Sequence, residues 1–280
     1  MIASPSSFGR TSRAVALLGL LLVPLLAFAA SGFKVEFKDP KGDDFGPGTY
    51  KYPTDPVYAR GSFDLRSVEI RENDDTVEFR VTVGAQIADP WNSKDWDGNG
   101  FSLQFAQIYI DTDHQKGSGF TEPLPGLGGA AFKAEEAWDK VVLISPQGRT
   151  RLEAEVRFKA PKMKGAVVLP KKTTARGKTL VAVVKKSDLG TPKAGWGFQV
   201  VMQSNEGYPD KKDILTRRVN EVAGQHRFGG GNDAECDPHV IDILAGTGKG
   251  GADEVAAQKA TLAYTCGSKV ATLPMVYAGR

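Results

Sequence analysis

The feature that most constrains this chain is a two-residue alternation of apolar and polar side chains, repeated along its length and punctuated by acidic turns. Val77, Phe79, Val81 and Val83 alternate with Glu78, Arg80 and Thr82. The turn Glu72-Asn73-Asp74-Asp75 joins this run to an upstream one that holds Phe63, Leu65, Val68 and Ile70. Period two places apolar side chains on one face of an extended strand, so the pair predicts a β-hairpin with one buried face. Phe33, Val35 and Phe37 repeat the pattern, as do Leu152, Ala154, Val156 and Phe158. The stretch 101–111 is apolar on both faces, with Ala106, Ile108 and Ile110 on one and Leu103, Phe105 and Tyr109 on the other, which predicts a central strand. Further strands are predicted over 141–144, 180–184, 198–202 and 270–276, the last put at an edge by Pro274. Helical periodicity is confined to 253–264. The expectation is an all-β protein: an immunoglobulin-like or jelly-roll β-sandwich with long loops and at most one or two short helices.

The first thirty residues read differently. Arg10 and Arg13 precede an apolar run from Ala14 to Phe28, and Ala27-Phe28-Ala29 fits a small-x-small cleavage rule. Residues 1–30 are therefore expected to be a secretory signal peptide, cut near Ala29 or Ala30. The remainder, 31–280, reads as a single domain that is secreted, periplasmic or held at the cell surface, with no transmembrane span once the signal is removed. Two cysteines, Cys236 and Cys266, predict one disulfide in such a compartment. A formal net charge of +3 gives no argument for a nucleic-acid partner. The charge is uneven, however. Lys159 to Lys186 holds nine basic residues and no acidic one. That segment is either a docking face for an anionic envelope polymer or lipid head groups, or a solvated hairpin.

Between the first two strands lies Asp39-Pro40-Lys41-Gly42-Asp43-Asp44-Phe45-Gly46-Pro47-Gly48-Thr49-Tyr50-Lys51-Tyr52-Pro53-Thr54-Asp55. Its glycines and prolines exclude a helix or a central strand. Carboxylates on such a loop suit calcium, and Asp39, Asp43 and Asp44 are the candidate ligands, joined by Asp64 or Asp111 from neighbouring strands. The alternative is a turn whose Asp side chains cap their own backbone. A second candidate, Asp95-x-Asp97-x-Asn99-Gly100, matches the first half of an EF-hand loop, although its twelfth position is Ala106 rather than glutamate. Tyr50, Tyr52, Trp91 and Trp96 sit in irregular loops and are candidate sugar-stacking residues; Trp91 reads as a core residue that anchors its loop and Trp96 as the exposed one. The three histidines, His114, His226 and His239, offer an alternative copper site, which would make the chain an extracytoplasmic redox protein resembling a superoxide dismutase. No G-x-S-x-G, H-E-x-x-H or phosphate-binding glycine loop is present, so no catalytic residues are assigned.

Taken together, the motifs resemble a known family. Asp39-Pro40-x-Gly42-Asp43-Asp44-x-Gly46-Pro47-Gly48-x-Tyr50-x-Tyr52-Pro53-Thr54-Asp55, Gly61-x-Phe63-Asp64-Leu65, Asp89-Pro90-Trp91-Asn92-Ser93, Phe228-Gly229-Gly230-Gly231 and Asp237-Pro238-x-Val240-Ile241-Asp242 occur in order. This set resembles the C-terminal domain of glucodextranase and related amylopullulanase-type enzymes, a DOMON-like domain similar to family-nine carbohydrate-binding modules. The resemblance implies a β-sandwich and a non-catalytic role in binding sugar or surface components, and it strengthens the calcium reading of the first loop. No glycosidase accompanies the module, so its expected partner acts in trans: a cell-envelope glycan, or a surface-layer or outer-membrane protein.

Overall fold

The computed structural model describes residues 1–4, 9 and 32–278. In chain order its strands are Lys34–Lys38 (β1), Leu65–Glu72 (β2), Thr76–Val83 (β3), Gln104–Asp111 (β4), Ala130–Phe132 (β5), Lys140–Ile144 (β6), Val167–Val168 (β7), Lys172–Arg176 (β8), Thr179–Lys185 (β9), Gly197–Ser204 (β10), Asp242–Ile243 (β11), Ala271–Leu273 (β12) and Val276–Tyr277 (β13). Three helices interrupt them, Arg149–Lys159 (α1), Lys186–Leu189 (α2) and Glu254–Leu262 (α3). The signal peptide expected over residues 1–30 lies almost wholly outside the described residues. Among the described ones, no helix is long and apolar enough to cross a membrane.

One sheet has the order β1-β2-β3-β9-β8 and grows from the predicted hairpin. The apolar positions of β2 skip a residue between Leu65 and Val68, and the pairing register with β3 shifts at Leu65/Ser67. That bulge keeps both halves of the strand facing inward. The second sheet has the order β11-β10-β4-β6-β7, with β13 also paired to β10. The sheets share a core. Phe79, Val81, Leu180 and Ala182 of the first meet Ile108, Ile110, Phe198 and Val200 of the second. The back of the second sheet carries another apolar layer, where Phe105, Tyr109, Val141 and Leu143 pack with Trp138, Leu152 and Val156. Every residue of β4 is consequently buried, as its two apolar faces predict. The all-β sandwich is what the alternation pattern predicts.

Two segments depart from that pattern. Leu152 to Phe158 alternates at period two but is helix α1. Leu152 and Val156 also stand four apart and cover the back of the sheet, while Phe158 is exposed. The charges settle the choice, because Arg149–Glu153, Arg151–Glu155 and Glu155–Lys159 ion pairs are all spaced i, i+4. With α1 the helices among the described residues number three rather than one or two. The expected closing strand is split at Pro274: β12 pairs in parallel with β5, and β13 turns to β10.

Cys236 and Cys266 form the predicted disulfide and close a span of 30 residues. In the chain-entropy view, constraining the unfolded chain this way stabilises the fold by roughly 3–4 kcal/mol. Thermal melts of a Cys236→Ser/Cys266→Ser variant are expected to fall by about 10 °C. An unchanged melting temperature would remove the disulfide from the account of stability.

Candidate metal centre and binding groove

The loop after β1 and the strand β11 bring three carboxylates together. One oxygen each from Asp39, Asp43 and Asp242 lies within 4.8 Å of the other two, and all three residues are buried. Oxygens on opposite sides of a calcium ion at 2.3–2.6 Å are separated by at most about 5 Å, so the spacing fits that ion. The loop is pinned over β11 from several directions. Gly46 has φ +56°, its amide donates to the Ile241 carbonyl at 2.8 Å, and a Cβ there would meet the Val240 carbonyl at 2.9 Å. The Gln258 amide of α3 donates to the Asp43 carbonyl.

The oxygens are incompletely satisfied. Asp242 accepts the Leu65 and Ile243 amides, and Asp39 Oδ1 accepts Ala245 at 3.3 Å. Asp39 Oδ2 and both oxygens of Asp43 are buried without a hydrogen-bond partner. Burial, then the charge of Asp43, pushes the Asp39 carboxyl up to about 9. Burial, then Asp64, pushes Asp43 up to about 6. Burial, then Asp39, raises Asp242 well above the ordinary range. Buried carboxylates are paired or bind metal, because an uncompensated buried charge is costly. An oxygen-only donor set suits a hard cation rather than copper or zinc.

The other predicted acidic residues are used differently. Asp44 accepts the Tyr52 hydroxyl. Asp64 accepts the Gly42 amide at 2.8 Å and lies 3.5 Å from Arg66. Asp111 clusters with Asp113 and Asp139, but its oxygens already accept the Asp113 and His114 amides and the Tyr277 hydroxyl. Asp95 and Asp97 are exposed and join neither acidic group. Asn99 donates its amide to the Ser145 and Gln147 carbonyls. The EF-hand-like stretch thus begins in a short 3₁₀ turn, Ser93–Trp96. Its anchor is Asp89, which accepts the Ser93 amide and the Ser93 and Ser102 hydroxyls. Sequence reasoning missed Asp242 as the third carboxylate of the group. The signal was an acid inside the apolar run Val240–Leu244, where burial without a partner is expensive.

Tyr50 and Tyr52 are not available for stacking. Both are buried among Tyr58, Phe63 and Phe228. The Tyr50 hydroxyl donates to Asp237, which is itself fully buried and also accepts from the Tyr264 hydroxyl and the Asn232 and His239 amides. These tyrosines end in polar groups satisfied inside the protein, which is why two aromatics in an irregular loop turn inward.

The tryptophans do reach solvent. Trp91 and Trp96 are each 36% exposed, and Tyr208 is 92% exposed. The three line a groove of about 460 Å³ together with Asn205, Glu206 and Arg217. The Trp96 indole donates to the Trp91 carbonyl at 3.1 Å, which fixes one ring against the other's backbone. Trp91 is not the core residue expected, since it is as exposed as Trp96, although it packs on Tyr58 and His226, with the Arg217 guanidinium 5.6 Å above its ring. Glu206 pairs with Arg217 at 3.1 Å and Arg227 at 3.4 Å and accepts the Tyr208 amide, so the one carboxylate lining the groove is held between two guanidiniums.

The three histidines do not form a metal site together. Converging groups of three or more His, Cys, Asp or Glu among the described residues contain no histidine. His114 bonds Tyr277, His226 packs on Trp91, and His239 accepts the Val219 amide through Nδ1 while burial lowers its basicity. His226 Nδ1 and His239 Nε2 are buried without a hydrogen-bond partner, but the three imidazoles do not converge on one point, as the copper alternative requires.

Comparison with curated proteins gives no match. A family model for the C-terminal, SLH-like binding module of glucodextranase matches residues 35–277, which takes in both sheets, the acidic centre and the groove. The chain belongs to the family of the SLH-like, C-terminal binding module of glucodextranase.

Proposed function

We propose that this protein is an exported, calcium-stabilised, non-catalytic module that binds a glycan of the cell envelope in the groove of Trp91, Trp96 and Tyr208, serving as an accessory subunit of a surface assembly. One observation carries the reading: two tryptophans and a tyrosine face solvent on one groove, beside hydrogen-bonding side chains. Sugar rings stack their C–H faces on such aromatics, and the neighbouring amides and charged groups orient the hydroxyls. The Glu206–Arg217–Arg227 set offers both a carboxylate acceptor and guanidinium donors to sugar hydroxyls. Calcium at Asp39, Asp43 and Asp242 would neutralise the buried carboxylates and tie the first loop to β11; its role is structural, and the groove lies on other loops.

A glycan array probed with the wild-type protein, followed by titration of the best hit against intrinsic tryptophan fluorescence, tests the reading. An oligosaccharide is expected to bind and shift the emission. Absence of any glycan hit from a folded, calcium-loaded protein contradicts it.

A further inference from the structure

The basic run from Lys159 to Lys186 is not used by the groove, yet it has a defined place in the fold. It passes from the end of α1 through β7, β8 and β9. Beside it opens a surface cavity of about 770 Å³, rimmed by Lys140, Arg149, Arg157 and Lys164 over a floor that includes Val156 and Val168. Two acids line the same cavity: Glu153, paired with Arg149 at 2.8 Å, and Asp188. Arg149 also donates to the carbonyls of Leu169 and Pro170, and Pro170 leads directly into exposed Lys171 and Lys172. β9 ends at exposed Lys185, just before the lining residues Ser187 and Asp188.

The charge is concentrated there. The chain has 36 basic and 33 acidic residues; without the nine basic ones of this run, 27 face 33, so the remainder is net acidic by six. Lys164, Lys171, Lys172 and Lys185 lie within 4.0 Å of no carboxylate among the described residues, whereas Lys159 and Lys186 are paired with Glu155 and Glu72. A positive cavity continued by lysines on an otherwise acidic molecule focuses an attractive field for polyanions.

We propose that this cavity and its flanking lysines form a second binding site, distinct from the aromatic groove, for a polyanionic envelope polymer bearing phosphate or carboxylate groups. Cations strung from the cavity to the start of β8 match a chain of charges better than a single head group. Membrane-docking surfaces insert exposed apolar side chains beside their basic ones. The large exposed apolar residue nearest the cavity in sequence is Phe158, and it lines a different hollow, with Lys159, Lys211 and Lys212.

The test is a set of binding titrations with poly(glycerol phosphate), polygalacturonate, neutral dextran, and phosphatidylglycerol/phosphatidylcholine vesicles. One or both polyanions are expected to bind, which identifies phosphate or carboxylate as the source. Their affinity should fall at least about tenfold between 50 and 500 mM NaCl, because exposed ion pairs are screened. An Arg157→Glu/Lys164→Glu/Lys171→Glu variant is expected to bind at least about tenfold more weakly, while Lys211→Glu/Lys212→Glu/Lys269→Glu, with the same net charge, stays within about threefold. Trp96→Ala should leave polyanion binding unchanged, which separates this site from the groove. Equal losses in both triple variants, binding to the vesicles alone, or binding to none of the probes would overturn the proposal.

Discussion

At pH 8, a thousand-fold excess of calcium over its dissociation constant is expected to raise the melting temperature by roughly 10 °C, and a chelator should reverse it. A ligand that binds only the folded state at that excess contributes about 4.1 kcal/mol, and a domain of this size gains about 2–4 °C per kcal/mol. The effect should depend on pH in a defined direction. Asp39 and Asp43 have folded-state carboxyls pushed up to about 9 and about 6, both chiefly by burial. Without an ion, the folded protein holds protons that the unfolded chain has already released above about pH 4. The metal-free protein is then most stable in mild acid, and it loses that stability as pH rises from about 4 towards 9. Calcium takes the place of those protons, so its increment is small at pH 5 and large at pH 8. Asp242→Asn removes one charge at nearly constant volume. That variant should melt above wild type in chelator at pH 8, yet gain much less from calcium. A wild-type melting curve that calcium does not move would contradict the metal assignment.

The second large effect is expected at Asp237. It is fully buried and accepts four hydrogen bonds, from the Tyr50 and Tyr264 hydroxyls and the Asn232 and His239 amides. It also follows Cys236 of the disulfide directly. Asp237→Ala leaves several buried donors unsatisfied at about 1–3 kcal/mol each, and because such losses are not additive a total of about 4 kcal/mol is expected by urea unfolding. Asp237→Asn, which keeps one acceptor oxygen, should cost less. Asp95→Ala, on an exposed position of the EF-hand-like stretch, should change stability by no more than about 0.5 kcal/mol. A cost at Asp95 comparable to that at Asp237 would mean that the acidic 95–99 loop holds structure through contacts other than those described.

The sandwich was legible because period-two alternation has one physical cause, a strand with one buried face, which β2 and β3 carry, and because a strand apolar on both faces, such as β4, must lie between two layers. Leu152–Phe158 was misleading because apolar residues at i, i+2 and i+4 satisfy a strand and a helix turn at once; the i, i+4 charge pairs were the deciding signal. In the acidic loop, Asp39 and Asp43 were legible as a pair of converging carboxylates, since glycine and proline leave the loop no ladder to join. Asp242 was not, because its partners lie some two hundred residues earlier and only the fold brings them together. Tyr50 and Tyr52 were misread for a related reason: the buried carboxylates of Asp237 and Asp44 that satisfy their hydroxyls cannot be paired with them from local sequence. Trp96 was legible as exposed, whereas Tyr208 carries no local signal and is recruited to the groove by the tertiary position of Glu206.

The most direct test of the central reading is a calorimetric titration of the best array glycan into wild type, Trp96→Ala and Tyr52→Phe at saturating calcium. Loss of one stacking platform is expected to weaken binding by at least about tenfold in Trp96→Ala without lowering its melting temperature. Tyr52→Phe, altered in the buried loop, should keep wild-type affinity even if it melts earlier. Wild-type affinity in Trp96→Ala, or a loss confined to Tyr52→Phe, would place recognition away from the Trp91–Trp96–Tyr208 groove and contradict the account.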